Sequence, residues 1–394
     1  MIEEDSERER QTRLRAAQRV VIKVGTSIIS RAEGGVCAER IGPLVRSIAE
    51  LKRAGRQVVL VSSGAVGLGA GRLGLHPSRL DDVVVRQACA AVGQSLLMHS
   101  YEQLFRVHDV SIAQVLLTED DFMEWKRYTN LRLTMEKLLK LKVLPIINEN
   151  DTVSTAELEY AFGQERVFGD NDRLAALVMS RLESDALILL TNVDGLLRYD
   201  PKGQRGVNHG AQPALIPLVA DLTEELKALA SGPSAGGRGG MLTKLEAAQI
   251  AMQAGGVAVI ANGMQAGILD DIFTGKQVGT TFMSTSRMAG KRRWLIHAAG
   301  VRGRVIVNEG AREAIINGKA SLLSSGVVRV EQQFEPQDVV SIADCEGREF
   351  ARGVINCASA EATTLIEGML AAPAGGQRSR VLVTRDNLVL SEQR

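Results

Sequence analysis

Short runs of Val, Ile and Leu alternate with helix-like segments through the first two thirds of the chain. Because these runs are apolar throughout, rather than at alternate positions, each predicted strand is expected to be buried on both faces. Parallel strands need long crossover connections, which the helical segments supply. The sequence predicts an α/β fold in three layers, with a mainly parallel central sheet between two layers of helices. The predicted strands are Arg19–Val24, Gln57–Val61, Ser111–Leu117, Val143–Ile147, Ala186–Leu190 and Val257–Ala261.

The pattern changes near the basic run Lys291-Arg-Arg293, which we interpret as a solvated linker. Beyond it the sequence predicts a compact, mostly β domain of about 100 residues, with one helix at Glu309–Asn317. Its predicted strands are Gly303–Val307, Val327–Val330, Val339–Asp344, Arg348–Val354 and Val381–Val383. The predicted division is a flexible N-terminal extension (1–17), an α/β domain (18–285), a linker (286–296) and the β domain (297–394).

Composition argues against several classes of protein. The 394 residues carry a formal net charge of +1, which gives no indication of a polyanionic partner. The four cysteines are widely spaced and contain no Cys-x-x-Cys pair, a pattern typical of reduced thiols in a cytosolic protein. The five histidines form no His-Glu-x-x-His motif, which argues against a zinc site. No apolar run approaches the roughly 20 residues that span a bilayer, so we expect a soluble cytoplasmic protein.

Two polar runs lie close together in the middle of the chain. Asn148-Glu-Asn-Asp151 follows an apolar strand, where an α/β sheet opens onto its ligand crevice. Gly169-Asp-Asn-Asp172 is typical of a helix start, with short acids near unpaired backbone N–H groups. Each run alone is also explained as an ordinary loop and a helix cap. Together they suit a small zwitterion that carries amino and carboxylate groups.

Two glycine turns follow the first two predicted strands. Lys23 precedes Gly25-Thr-Ser on the first strand, and Ser62-Ser-Gly64-Ala follows the second. Glycine lets backbone N–H groups approach an anion closely at such strand ends. The second turn does not have the Gly-x-Gly-x-x-Gly order of a dinucleotide site. The alternatives are an edge-strand lysine with its head in solvent and glycines that serve tight helix–sheet packing.

The longest glycine-rich stretch, residues 231–240, leads into a predicted helix with Lys244 in its first turn. It lacks the Gly-x-x-x-x-Gly-Lys-[Ser/Thr] order of a P-loop, which disfavours that class of nucleotide-binding protein. A glycine loop before a lysine-bearing helix start nevertheless suits a polyphosphate. A flexible surface loop without a ligand is the alternative.

Six motifs occur in a fixed order along the chain: Lys23-Val-Gly-Thr-Ser, Ser62-Ser-Gly-Ala, Ile147-Asn-Glu-Asn-Asp151, Gly169-Asp-Asn-Asp172, Leu190-Thr-Asn-Val-Asp-Gly195 and Gly239-Gly-Met-Leu-Thr-Lys244. Over about residues 18–285 this series resembles the glutamate 5-kinases of the amino acid kinase family. From about Leu295 the chain is similar to the PUA domain that many bacterial members carry, through Gly303–Arg312 and Lys319–Leu323.

The resemblance implies an amino acid kinase fold and a phosphotransferase activity. The γ-phosphoryl group of ATP, with Mg²⁺, would pass in line to the side-chain carboxylate of L-glutamate. The product would be L-glutamyl 5-phosphate, in the first step of proline biosynthesis. A carboxylate is already a nucleophile, so the reaction needs positioning and positive charge rather than a general base.

The resemblance also implies roles for individual residues. Lys23 and Lys244 would stabilise charge on the transferring phosphoryl group, and Asp172 would orient both lysines. The implied glutamate contacts are Ser63, Asp151 and Asn171. The implied ATP contacts are Lys23, Gly25, Gly64, Thr191, Asn192, Arg238, Gly239, Gly240, Met241, Leu242, Thr243 and Lys244. No protein ligand is expected for magnesium, which would bridge ATP oxygens.

The sequence departs from the family pattern in three places. Asn192 stands where an aspartate is common, and Arg238 stands where a threonine is common. The segment Glu157–Phe168 is longer than in compact members, and in the family this neighbourhood takes part in feedback inhibition by proline. The implied partners are proline as an inhibitor, a glutamyl phosphate reductase and further copies of the chain in a dimer or tetramer.

Alternatives to this function remain at the level of sequence. Another amino acid kinase could act on acetylglutamate, carbamate or a nucleoside monophosphate, although the two central polar runs favour free glutamate. An RNA-binding protein is a second alternative because PUA domains often contact RNA. The near balance of acidic and basic residues from Gly300 onward argues against it. A catalytically silent regulator is disfavoured because both lysines and Asp172 are present.

Overall fold

The computed structural model describes residues 2–31, 35–118, 120–123, 125–153, 171–198, 214–229, 240–283, 301–318, 320–371 and 379–390. The chain divides into two compact units, residues 1–119 with 131–288 and residues 120–130 with 289–394. The predicted linker at 286–296 and the predicted domain boundary at 285 lie outside the described residues. The predicted domain limits therefore stay predictions.

One large sheet forms the centre of the first unit. The strands are β1 (Arg19–Val24), β2 (Gln57–Ser62), β3 (Ile112–Leu117), β4 (Leu144–Glu149), β5 (Ala186–Thr191), β6 (Leu197–Arg198), β7 (Ala214–Leu215), β8 (Leu218–Val219), β9 (Val257–Asn262) and β10 (Thr280–Met283). Eight of them pair in the order β3-β4-β2-β1-β5-β9-β10-β8, while β6 and β7 pair with each other. Among the described strands of the large sheet, only β9 and β10 pair antiparallel. The predicted mainly parallel α/β fold is confirmed.

Helices of the first unit cover both faces of this sheet. The helices up to residue 283 are α1 (Ile2–Ala16), α2 (Thr26–Ile29), α3 (Ala38–Arg53), α4 (Ala65–Arg72), α5 (Val83–Arg106), α6 (Asp120–Met123), α7 (Trp125–Lys140), α8 (Asn171–Arg181), α9 (Glu224–Leu229), α10 (Met241–Gln253) and α11 (Ile268–Thr274). Helix α8 packs on β1 and β5, and α10 packs on β5, β9 and α8. Helices α3 and α11 share a hydrophobic cluster on the other face of the sheet.

The alternation of side chains along β1 decides where its lysine points. Val20, Ile22 and Val24 pack in one cluster with residues of α3 such as Ile41. Successive side chains of a strand point to opposite faces, so Lys23 faces away from that cluster. It therefore points to the side of the sheet where α8 and α10 lie.

The N-terminal residues form helix α1, which corrects the prediction of a flexible extension over residues 1–17. Leu14 and Arg10 are each 1% exposed. The Arg10 guanidinium donates to the carbonyl oxygens of Gly275 (2.8 Å) and Lys276 (3.2 Å), just past the end of α11. Glu7 pairs with Arg10, and the hydrogen bond from that guanidinium holds the pKa of Glu7 below its ordinary value. The charged composition concealed this docking because one of the buried anchors is itself an arginine.

The second unit has its own β-rich core. Its elements after residue 300 are β11 (Val301–Val307), α12 (Glu309–Gly318), β12 (Leu322–Leu323), β13 (Val327–Glu331), β14 (Val339–Ala343), β15 (Glu349–Val354), α13 (Ser359–Ala371), β16 (Val381–Val383) and β17 (Leu388–Leu390). Five strands pair in the order β13-β11-β14-β15-β17. The predicted strands are confirmed, whereas α13 was not predicted. Within the described parts of both units, no helix combines the length and apolar character needed to cross a bilayer.

Candidate active site

A buried acid lies between two lysines on the α8 and α10 side of the sheet. Asp172 Oδ1 is 2.7 Å from Lys23 Nζ, and Asp172 Oδ2 is 3.0 Å from Lys244 Nζ. Asp172 is 0% exposed, and the lysines are 5% and 6% exposed. The three residues come from β1, the first turn of α8 and the first turn of α10, so the fold joins positions that are far apart in sequence.

The two ammonium groups determine the ionisation of this acid. Burial alone raises the pKa of Asp172, but the charges and hydrogen bonds of Lys23 and Lys244 outweigh it and hold the pKa below its ordinary value. With the acid ionised and both lysines charged, the cluster has a net charge of +1. An uncompensated buried charge is unfavourable, so the cluster favours an anionic ligand.

The start of α10 contributes further polar groups beside the acid. Thr243 Oγ1 donates to the Gly240 carbonyl oxygen (2.9 Å) and lies 3.4 Å from Asp172 Oδ2. Gly240 is the extended residue that precedes the helix. Met241 and Leu242 form its first turn, and Leu242 is exposed. The predicted contacts Arg238 and Gly239 lie outside the described residues.

The two glycine turns behave differently from each other. Gly25 N–H donates to the Leu190 carbonyl oxygen (3.2 Å), and the predicted contact of Gly25 with ATP stays a prediction. A Cβ atom at Gly25 would make only ordinary van der Waals contacts, at 3.4 Å from the Leu190 carbonyl oxygen and 3.9 Å from Lys23 Nζ. Gly64 precedes α4 with φ of 101°, a left-handed conformation that favours glycine. The first N–H groups of α4 follow it and have no partner within the helix.

A network of neutral side chains lies next to the charged cluster. The Asn171 Nδ2 group donates to Ser63 Oγ (3.0 Å) and to Asn148 Oδ1 (3.0 Å). Asn148 Nδ2 in turn donates to Gln94 Oε1 on α5 (2.9 Å). Ser63 and Asn171 are thus brought together, as their predicted common ligand requires. Asp151, the third predicted glutamate contact, is partly buried two residues past the end of β4.

Sequence reasoning missed two members of this network. Asn148 was quoted within its motif but given no role, because the predicted strand ended at Ile147 whereas β4 continues to Glu149. Gln94 has no local signal, since a glutamine on a helix is ordinarily solvated. Gln94 and Asn148 are far apart in sequence, so their contact exists only in the folded chain.

A cavity opens beyond the ends of β5 and β9. Its volume is about 490 Å³, and its lining includes the polar residues Asp194, Asn262 and Gln265 and the apolar residues Leu215, Met264 and Ile268. Asn262 Nδ2 donates to Asp194 Oδ1 (2.9 Å). Asn262 is also the register partner of Thr191 on the neighbouring strand. The predicted nucleotide contacts Thr191 and Asn192 therefore lie at the same sheet edge as this cavity.

Gly169, Asp170 and the segment Glu157–Phe168 lie outside the described residues. Among the side chains that the structure describes, no group of three or more His, Cys, Asp or Glu could hold a metal ion.

The chain matches two family models. Residues 18–262 match the amino acid kinase family, and residues 303–374 match the PUA domain. It is 46% identical over 345 residues to a glutamate 5-kinase of Myxococcus xanthus, covering 87% of each chain. It is 42% identical to a glutamate 5-kinase of Moorella thermoacetica, over 98% of this chain and 99% of that one. A glutamate 5-kinase of Geobacter sulfurreducens is 38% identical over 96% of this chain and 98% of its own. The resemblance inferred from the motifs is confirmed.

Proposed function

Because this chain belongs to the amino acid kinase family, we propose that it transfers the γ-phosphoryl group of ATP to the side-chain carboxylate of L-glutamate. The product is L-glutamyl 5-phosphate, in the first step of proline biosynthesis. Relatives named glutamate 5-kinase that match almost the whole chain support this substrate. The observation that carries the proposal is the buried pair of lysines on either side of Asp172.

The charged cluster suits the chemistry of this transfer. A carboxylate oxygen of glutamate bonds to the γ-phosphorus while the bond from that phosphorus to the β–γ bridging oxygen breaks, which leaves ADP. No proton has to move, so no general base is needed. The reaction needs cations fixed where phosphoryl oxygens gain charge. Lys23 and Lys244 are such cations. Asp172 holds Lys23 by an ion pair and Lys244 by a charge-assisted hydrogen bond.

The neutral network suits the amino-acid end of the substrate. We assign Ser63 and Asn171 to glutamate, and Asp151 to its ammonium group by charge pairing. Asn171 and Asp172 are adjacent at the start of α8, so recognition and phosphoryl transfer share one helix end. This adjacency supports a binding mode in which the reacting carboxylate lies next to the lysines while the amino-acid end is held.

The nucleotide fits along the sheet edge. Strands β1, β5 and β9 are neighbours, so Lys23 and Asn262 are separated across the sheet by two strand spacings, about 10 Å. A triphosphate and a ribose cover such a span. With the phosphates at Lys23 and Lys244, the nucleoside is directed past Thr191 and Asn192 to the cavity beside Asn262.

Magnesium is assigned to the nucleotide rather than to a protein cage. The Asp172 carboxylate is already engaged by the ammonium groups of Lys23 and Lys244. The site fits an ion that arrives on ATP, where it neutralises charge on the phosphate oxygens.

We further propose that a glutamyl phosphate reductase consumes the labile product, that proline acts as an inhibitor, and that the protein forms a dimer or tetramer.

Trapping of the product with hydroxylamine tests the proposal. Protein supplied with ATP, Mg²⁺, L-glutamate and hydroxylamine is expected to form glutamyl hydroxamate, because hydroxylamine attacks the acyl phosphate before it cyclises. Parallel reactions with acetylglutamate, carbamate and UMP as acceptors, followed through ADP release, examine the alternative kinases. Turnover of one of these acceptors in preference to glutamate would overturn the proposal.

A further inference from the structure

We propose that Gln94 on α5 is a positioning residue that makes the site selective for a free α-ammonium group. The inference deepens the proposed function and rests on it, because it concerns how that site recognises the amino group of its substrate. Gln94 does not have to touch the substrate. It acts through Asn148, which fixes the orientation of Asn171.

The direction of each hydrogen bond follows from the previous one. A side-chain amide has one acceptor oxygen and one NH₂ group with two hydrogens. The Gln94 oxygen accepts from Asn148 Nδ2, which turns Asn148 Oδ1 towards Asn171. That oxygen and Ser63 Oγ then take the two hydrogens of Asn171 Nδ2, each at 3.0 Å.

This series of hydrogen bonds uses the amide nitrogen of Asn171 and does not involve its amide oxygen. Its Oδ1 is buried and has no hydrogen-bond partner among the residues that the structure describes. A buried acceptor is normally paired, so this oxygen suits a donor group of a bound ligand. A primary ammonium group supplies one with a full positive charge, whereas a carboxylate supplies none.

The same series of hydrogen bonds leaves the Ser63 hydroxyl free to donate to a negatively charged group. Ser63 Oγ accepts the hydrogen bond from Asn171, so its own hydroxyl hydrogen is directed elsewhere and can donate to a carboxylate. The network thus offers an acceptor for an ammonium group beside a donor for a carboxylate. These are the two ends of a free α-amino acid. A ligand without the amino group leaves Asn171 Oδ1 unpaired.

Helix packing holds the first member of the relay in place. Gln94 is 9% exposed and Asn148 is 3% exposed, so water competes little for their amides. The preceding residue, Gly93, lies so close to α4 that a side chain there would come within 1.8 Å of the Ala65 carbonyl oxygen. Helix α5 is therefore seated backbone to backbone on α4, and Gln94 is fixed with it.

The test compares variants that differ in one acceptor oxygen. Gln94→Leu removes the oxygen at similar size, so Asn148 and Asn171 lose their fixed orientation. Its KM for glutamate is expected to rise about 10- to 100-fold, while kcat and the KM for ATP change less than about twofold. Gln94→Glu keeps an acceptor oxygen for Asn148 and is expected to stay within a few fold of wild type. Gln103→Leu is the matched control, because it makes the same change at an exposed site of α5.

A second readout separates positioning from general damage to the fold. Glutarate is glutamate without the amino group, so the ratio of kcat/KM for glutamate to that for glutarate measures recognition of the ammonium group. The ratio is expected to fall about 10-fold or more in Gln94→Leu and to survive in Gln94→Glu. Gln94→Met, which also lacks the acceptor, serves if the leucine variant does not fold.

Two outcomes would overturn the inference. One is an unchanged glutamate-to-glutarate ratio in a folded leucine or methionine variant. The other is an equal loss of this ratio in a Gln94→Glu variant whose free energy of unfolding matches that of the wild type. Both require a wild-type protein that phosphorylates glutamate, so they are distinct from a failure of the proposed function, in which the wild type itself forms no hydroxamate.

Discussion

Adjacent residues of α8 enter two regions of opposite character. Asp172 lies in a charged cluster with Lys23 and Lys244, and Asn171 lies in a neutral network with Ser63 and Asn148. Both regions are largely buried, and both consist of hydrogen bonds between elements distant in sequence. They differ in what a single substitution leaves behind, which is an unpaired charge in the first region and an unpaired dipole in the second.

That difference predicts separate roles, phosphoryl transfer for the charged cluster and amino-acid binding for the neutral network. A buried charge without its partner costs several times as much as a buried amide without its partner. Changes in the charged cluster should therefore reduce both stability and kcat. Changes in the neutral network should mainly alter KM for the amino acid. The predictions below are ordered by the size of the effect that this contrast implies.

Asp172→Asn should have the largest effect. It leaves two buried ammonium groups without their shared carboxylate, so the free energy of unfolding is expected to fall by about 3–5 kcal/mol. The rate constant kcat should fall about 10³-fold or more, since both catalytic cations lose their position. Urea unfolding followed by circular dichroism measures the first effect, and hydroxamate formation measures the second. A variant as stable as the wild type would contradict the proposed importance of the shared charge.

Lys244→Ala should lower kcat by about 10²- to 10³-fold, the usual loss when one fixed donor to the transition state is removed. The KM for glutamate should change little, because the neutral network is intact. Lys244→Arg should not restore the rate, since a planar guanidinium does not fit a site shaped for a compact ammonium group. Lys140→Ala, at an exposed site on α7, is the matched control. Equal hydroxamate yields from wild type and Lys244→Ala would refute the catalytic role of this lysine.

The pH dependence of stability should report on the charged cluster. The pKa of Asp172 is lower in the folded protein than its ordinary value of 3.8. Its ionised form therefore contributes stability above about pH 3.8, and this contribution is lost as the pH falls through the lower folded pKa. The stability difference between wild type and Asp172→Asn should be constant above about pH 5 and shrink in acid. Unfolding measured at a series of pH values tests this, and a difference that grows in acid would exclude it.

The sequence predicted the charged cluster better than the neutral network for a physical reason. A lysine within an apolar strand is conspicuous, because a buried charge demands a partner. Lys23 could therefore be singled out before its contact with Asp172 was known, and Lys244 was indicated by the glycine loop that precedes its helix. Gln94 gives no such signal, since neutral polar residues on helices are usually solvated. Its contact with Asn148 depends on α5 being seated on α4, which the sequence pattern does not specify.

The secondary structure was also predicted less well where helices and strands contain buried polar residues. Apolar strands gave the order and type of the main elements, because burial on both faces leaves a strong pattern. The polar ends were misjudged. Helix α1 was predicted to be flexible because its anchor Arg10 is charged, and β4 was ended early because Asn148 and Glu149 are polar. In both places a polar residue is buried through hydrogen bonds or ion pairs that only the folded chain supplies.

Ser63→Ala should have the smallest effect and is the sharpest test of the contrast. It removes one acceptor from Asn171 and one donor to the substrate, while the three charged residues keep all their contacts. The KM for glutamate is expected to rise about 10-fold, and kcat and the free energy of unfolding should stay close to wild type. Ser95→Ala, an exposed serine on α5, provides the control. If kcat fell as far as KM rose, the two regions would act as one unit, because recognition at Asn171 would then be inseparable from the charge next to it on α8.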